Sequence, residues 1–294
     1  MLIGPFLTYF FAKSFAKALK RVKRIDNRKD LAKYPKLAEI VRIVKVISRH
    51  CALPMPEVGI YPSREINAFA TGRPNDSLIA ISTGLIKKFN NEEIKGVLAH
   101  EISHLLHRDL KWILLIQGTF DLIVMFLGAM VFWIVAVGGT TRQREEESTG
   151  SQLLRLIVAF ILYQVVTAIL RIITILIVFW FIRKRELKAD LKGAKIVGYS
   201  TMIATLTKLL ELEKKEEMLD DFLAEERSKE DELGFEENSR QANDYQKEPN
   251  SISLLKFSTG KKKSDWLLEL FRTHPPLEER INRLKRIQQK SSAQ

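Results

Sequence analysis

The chain of 294 residues holds a single cysteine, Cys51. One thiol excludes an internal disulfide framework and a cysteine-ligated zinc site, and it fits a reducing compartment for the soluble part. Acidic residues are outnumbered, with 35 Asp and Glu against 47 Lys and Arg, for a formal net charge of +12. A basic excess points either to nucleic acid or to a membrane surface. Aromatic residues are not interleaved with the basic ones as in RNA-binding surfaces; the Lys and Arg instead flank apolar runs. The expected partner is therefore a lipid bilayer and not nucleic acid. No small-residue cleavage site follows the first apolar run, so a cleavable signal peptide is not expected. No internal repeat is present. Histidine is also scarce, five in all, yet His100, His104 and His107 fall close together.

Two of these form the stretch His100-Glu101-Ile102-Ser103-His104. On a helix, residues four apart share a face, so both imidazoles can point at one centre and suit a tetrahedral zinc. Glu101, on the neighbouring face, can take a proton from water at the metal without occupying it. A catalytic zinc keeps one position open, so one further protein ligand must come from elsewhere in the chain. The helix itself is well marked. Asn90 and Glu93 make a capping box, and Ile94, Val97, Leu98, Ile102, Leu105 and Leu106 form an apolar stripe of helical period.

Two long apolar runs follow. Trp112–Gly138 is interrupted only by Gln117 and Asp121, and Leu153–Ile182 only by Arg155, Gln164 and Arg171. Both are long enough to span a bilayer. Trp112, Trp133 and Trp180 suit the interfacial belts. Two spans make a hairpin that returns to its starting side. That side carries Arg108, Lys111, Arg183, Lys184, Arg185 and Lys188, so the histidine helix is expected to face the cytoplasm. Asp121 and Arg171 lie at matching depths and are expected to pair within the membrane. Residues 2–12 are apolar but short. They read either as an interfacial helix or as the tail of a spanning one. Beyond the second run, Glu186 and Asp190 are four apart on one helix face. Either can ligate zinc while the other accepts a hydrogen bond from a ligand imidazole.

The remaining chain supplies a small α+β core. Residues 35–50 read as an amphipathic helix ended by Pro54 and Pro56, followed by strands at Glu57–Tyr61, Ile66–Thr71 and Leu78–Ser82, with a turn at 72–76. Either Asn67–Thr71 or Leu78–Ser82 can offer an edge to an extended substrate. Asn67 holds substrate backbone or makes a turn. Residues 211–263 are charged and read as exposed, partly helical and partly disordered. His274, followed by two prolines, reads as an oxyanion stabiliser, as a cap on a resting zinc, or as a plain structural histidine. His107 reads as a cation at the helix C-terminus and His50 as structural or exposed.

Taken in order, several stretches resemble the HtpX family of membrane-bound zinc metalloproteases. They are Asn67-Ala68-Phe69-Ala70-Thr71-Gly72, Ser82-Thr83-Gly84-Leu85, Glu92-Glu93, and His100 through His104. Arg185-Glu186-x-x-Ala189-Asp190 and Thr273-His274-Pro275-Pro276-x-x-x-Arg280 follow. The resemblance covers residues 33–205 and 268–287. It implies one zinc ion per chain on His100, His104 and Glu186, with Glu101 as general base. Asp190 is then the imidazole's partner. It also implies a multi-pass endopeptidase of the cytoplasmic membrane, acting on unfolded or misfolded membrane and cytoplasmic proteins as quality control. The family carries two spanning helices ahead of its zinc domain, and here residues 2–12 stand in that place.

The expected architecture is an α+β, mainly helical zinc metalloprotease domain with a small β-sheet, interrupted by a two-helix transmembrane hairpin. Its divisions are a membrane-proximal segment (1–32), the first part of the protease domain (33–111), the hairpin (112–182), a third-ligand helix (183–210), a charged segment (211–263) and the C-terminal part (264–294). The alternative is a membrane-anchored adaptor with structural zinc, against which an open three-ligand site argues. A prenyl-protein endopeptidase of the related CAAX type needs more spans than two.

Overall fold

The computed structural model describes residues 3–25, 28–137, 149–232 and 275–292. The protein is mainly helical, with one small mixed sheet. The sheet comprises β1 (Lys23–Arg24), β2 (Glu57–Tyr61), β3 (Ala68–Arg73) and β4 (Asp76–Ser82) in the order β1-β2-β4-β3. β2 and β4 are parallel; the other pairs are antiparallel. The β3–β4 hairpin closes through Pro74-Asn75, with Arg73 opposite Asp76. Gly72 enters that turn at φ +102°, and a Cβ there would lie 2.4 Å from the Asp76 carbonyl oxygen, so only glycine fits.

Alternation along the strands separates two faces. Val58, Ile79 and Ile81 pack into the main core with α3 (Pro35–His50) and α5 (Asn91–His107). Tyr61, Leu78 and Ala80 face the opposite side, with Val22 and Phe69 against them. Across that side lies α1 (Ile3–Leu19), fastened by Lys13 to Glu57 and Asp76 and by Lys17 to Glu57. α1 leaves Leu7, Phe11, Phe15 and Leu19 exposed. The short α2 (Arg28–Lys33) precedes α3, and α4 (Thr83–Lys88) joins the sheet to α5.

α5 starts on the capping box expected for it. The Glu93 N–H donates to Asn90 Oδ1 at 2.9 Å, and the Asn90 N–H donates to Glu93 Oε2 at 2.8 Å. It stops at Arg108, which takes the left-handed conformation at φ 54°, and α6 (Asp109–Val137) begins at the next residue. α7 (Thr149–Val197) then runs 49 residues without a break until Gly198, at φ +97°. α6 and α7 are long and apolar enough to cross a membrane. Only 17% and 11% of their apolar windows are buried, whereas the core helix of a soluble protein would be mostly buried.

The seam between them is built on small residues, among them Gly118, Gly128 and Ala136 on α6 and Ala159, Thr167 and Thr174 on α7. A Cβ on Gly128 would lie 2.5 Å from Thr167 Cγ2, so the two backbones approach closely. This corrects one expectation: among the described residues no ion pair joins Asp121 to Arg171, and Arg171 is exposed. On α7 the seam positions on either side of it are held by the buried Thr167 and Thr174, and Arg171 turns to the outer surface.

α8 (Tyr199–Glu232) and α9 (Leu277–Ser292) complete the core through Met202, Leu206, Ile281 and Leu284. The rest of the charged segment and His274 lie outside the described residues. Gly96 of α5 meets α8 directly: a Cβ there would lie 2.1 Å from Thr205 Oγ1 and 2.9 Å from Thr205 Cβ. Alanine in a helix interior ordinarily gains about 0.5–1 kcal/mol over glycine. Here the contact should reverse the sign, and Gly96→Ala is expected to cost about 1–3 kcal/mol. Denaturant unfolding in detergent measures it. Thr205→Ala in the same chain should recover part of the loss, and an unchanged midpoint for Gly96→Ala would contradict the close packing.

Candidate metal centre

α5 presents His100 and His104 on one face, one turn apart. α7 lies against that face with a stripe of Glu186, Ala189, Asp190 and Gly193, all buried. The small members allow the approach: a Cβ on Gly193 would lie only 3.3 Å from the His100 backbone nitrogen. The stripe therefore brings two carboxylates against two imidazoles. His100 Nε2 and His104 Nε2 are 3.1 Å apart. Glu186 places Oε2 3.5 Å from His100 Nε2 and Oε1 3.3 Å from His104 Nε2. All three ligand atoms lie within 4.8 Å of one another.

The outer nitrogens of both rings are held. His100 Nδ1 is 2.9 Å from Asp190 Oδ1, and His104 Nδ1 is 2.6 Å from Asp109 Oδ2. A carboxylate at Nδ1 selects the tautomer protonated there, which turns the Nε2 lone pair inward. Each aspartate is in turn held by an arginine. Arg280 of α9 grips Asp190 with two hydrogen bonds, of 2.7 and 2.6 Å. Arg185 of α7 pairs with Asp109. All of these carboxylates are buried: Asp109 and Glu186 are 4% exposed and Asp190 1%.

Glu101 stands beside the two imidazoles and accepts a hydrogen bond from the Ala70 backbone N–H of β3. Burial pushes its carboxyl above the usual range, against the pull of His100 and His104. Burial also opposes charging of His100 and His104, but Asp190 and Glu186 outweigh it at His100, and Glu186 and Glu101 at His104, so both imidazoles bind a proton more readily than usual. At Asp190 burial favours the neutral form; Arg280 and His100 overcome it and hold the carboxyl below its ordinary value.

This donor set fits a divalent metal. Two nitrogens and a carboxylate at about 2.0–2.1 Å from a tetrahedral centre would stand roughly 3.3 Å from one another, close to the spacings found. Among the described residues the set has three protein donors, one fewer than a closed tetrahedral site.

Other expected residues stand elsewhere. Asn67 lies just before β3, its main chain engaged with Ser82 through hydrogen bonds of 2.9 and 3.1 Å. His107 is not among the converging donors; Arg185 reaches its carbonyl oxygen instead, at 3.0 Å. β4 is interior and fully buried from Leu78 to Ile81, so β3 is the strand that can present an edge. Spacing alone does not reveal Asp109, Arg185 and Arg280 as partners of the site; their contacts do. Asp109 sits five residues past His104, a signal that becomes visible only once the helix is known to turn at Arg108.

The family model for Peptidase family M48 matches residues 35–288. The chain is 32% identical to Protease HtpX of Hahella chejuensis over 280 residues, covering 95% of this chain and 80% of that one. It is 36% identical to Protease HtpX of Cronobacter sakazakii over 241 residues, covering 81% and 69%. The fold is similar to the crystal structure of Ste24p from S. mikatae, with a TM-score of 0.57 at 14% identity. That likeness covers 96% of this chain and 55% of the other.

The buried Arg280–Asp190 pair is expected to be costly to break from one side. Arg280→Met leaves the Asp190 charge uncompensated and should lose about 3–5 kcal/mol of stability. Asp190→Asn in the same chain should restore much of it, as read by thermal unfolding; equal losses in the single and double variants would contradict the pairing.

Proposed function

The chain belongs to peptidase family M48, and we propose that this membrane metalloprotease is a zinc-dependent endopeptidase that cleaves unfolded or misfolded proteins at the cytoplasmic face of the cell membrane. The observation that carries the reading is the convergence of His100 Nε2, His104 Nε2 and the Glu186 carboxylate beside Glu101. Two imidazoles and one carboxylate, with no thiolate, are a donor set suited to zinc in a hydrolytic role.

When bound by these three residues, zinc supplies Lewis acidity that acidifies water and polarises a peptide carbonyl. The chain's own residues do the rest. Asp190 and Asp109 keep His100 and His104 in the tautomer that offers Nε2. Glu101 takes a proton from the attacking water and returns it to the amide nitrogen as the C–N bond breaks. The Ala70 N–H aims the Glu101 carboxylate and ties it to the sheet's edge strand. An extended substrate added along β3 would bring its backbone past Glu101. Recognition through main-chain hydrogen bonds reads no particular sequence, which suits unfolded segments.

The cytoplasmic placement rests on Arg108, Lys111, Arg183, Lys184 and Lys188, gathered where α6 starts and the apolar part of α7 ends. A structural zinc in an adaptor would be closed by four protein ligands, and among the described residues three converge here.

Glu101→Gln separates binding from chemistry. The amide can neither accept nor return the proton, so the variant should retain zinc while peptide hydrolysis falls by about 10²–10⁴-fold. Metal analysis and a fluorogenic unfolded substrate measure the two. Full zinc occupancy with near wild-type hydrolysis would remove Glu101 from its role.

A further inference from the structure

The two imidazoles are held by parallel chains of contacts drawn from different parts of the fold. One is Arg280–Asp190–His100, whose arginine comes from α9. The other is Arg185–Asp109–His104, and it lies at the junction of the metal helix with both apolar arms. Asp109 is the first residue of α6 and Arg185 sits on α7, immediately before Glu186. The same guanidinium donates to the His107 carbonyl oxygen at the end of α5, at 3.0 Å. One side chain thus touches α5, α6 and the ligand turn of α7 together.

We propose that Arg185 is a positioning residue for the metal site, holding Asp109, and through it the His104 ring, while locking the inner ends of α5, α6 and α7 to one another. The inference rests on the reading of His100, His104 and Glu186 as the metal's ligands. The physical argument concerns a buried carboxylate. Asp109 accepts from His104 Nδ1 with one oxygen and meets Arg185 with the other. Without the guanidinium the second oxygen of this buried carboxylate loses its cationic partner, so the side chain swings toward water and away from His104 Nδ1. The ring then loses the contact that orients its Nε2 toward the metal. Lysine cannot replace the function fully, because a single ammonium lacks the planar fork that reaches Asp109 and the His107 carbonyl at once.

The test is zinc affinity of the full chain in detergent, by competition with a chelator, with helical content followed by circular dichroism. Arg185→Met should weaken zinc binding by about 10–100-fold, as loss of an outer partner of a metal ligand does. Asp109→Asn should do the same, and the double variant should be no worse than either single one, because both break one chain of contacts. Arg185→Lys should keep the charge and fall between wild type and Arg185→Met. Lys188→Met, which removes an exposed charge one turn along α7, should leave affinity unchanged. If Arg185→Met does not fold, Arg185→Lys decides: wild-type zinc affinity in that variant overturns the proposal. Wild-type affinity in a folded Arg185→Met, or additive losses in the double variant, also overturns it. His104→Ala tests the underlying ligand set separately. Unchanged zinc in that variant sinks the three-donor centre itself; lost zinc there with retained zinc in Arg185→Met sinks only the clamp.

Discussion

Three electron-pair donors are packed against one another in a recess with little solvent: two imidazole nitrogens 3.1 Å apart and a carboxylate 3.3–3.5 Å from each. Donors that close repel unless a cation lies among them, and the repulsion grows as solvent is excluded. The surrounding structure answers this one electrostatic requirement. Aspartates fix which nitrogen of each ring faces inward. Arg280 holds the Asp190 carboxyl in its charged form, and Arg185 pairs with Asp109. Gly193 and Ala189 let α7 come near enough to α5 for Glu186 to arrive at all. Gly96 does the same on the side of α8. The apolar core beneath, from Ile94 through Ile102 to Leu206, supplies the rigidity that keeps the donors in place.

The parts legible in the sequence are those whose geometry is local. His100, Glu101 and His104 share a helix by spacing alone, and Asn90 with Glu93 announces where that helix starts. Glu186 and Asp190 could be placed on one face of a helix. Choosing between them as ligand took more than spacing, because the choice depends on where α7 lies against α5. The two apolar runs were readable from length. Their tight seam was not, since only the packed helices show that Gly128 meets Thr167 and that Arg171 faces outward.

The residues that were missed depend on chain reversal or on distant contacts. Asp109 returns to His104 because Arg108 adopts a left-handed turn, an uncommon conformation for a non-glycine residue and one that nothing in the sequence advertises. Arg280 reaches Asp190 across 90 residues of sequence. Leu78–Ser82 reads as a strand, but its interior place follows from β2 and β3 flanking it, and the open edge falls to β3.

A continuous α7 joins apolar hairpin and ligand turn in one rigid element, so the membrane-facing part and the chemistry are mechanically one piece. The centre is the claim on which the rest stands. X-ray absorption at the zinc K-edge of the loaded protein tests it most directly. The expected shell holds light atoms only, two imidazole nitrogens at about 2.0–2.1 Å and a carboxylate oxygen at about 2.0–2.2 Å, with one exchangeable water. A sulfur scatterer near 2.3 Å, or a shell closed by four protein ligands with no exchangeable position, would contradict it.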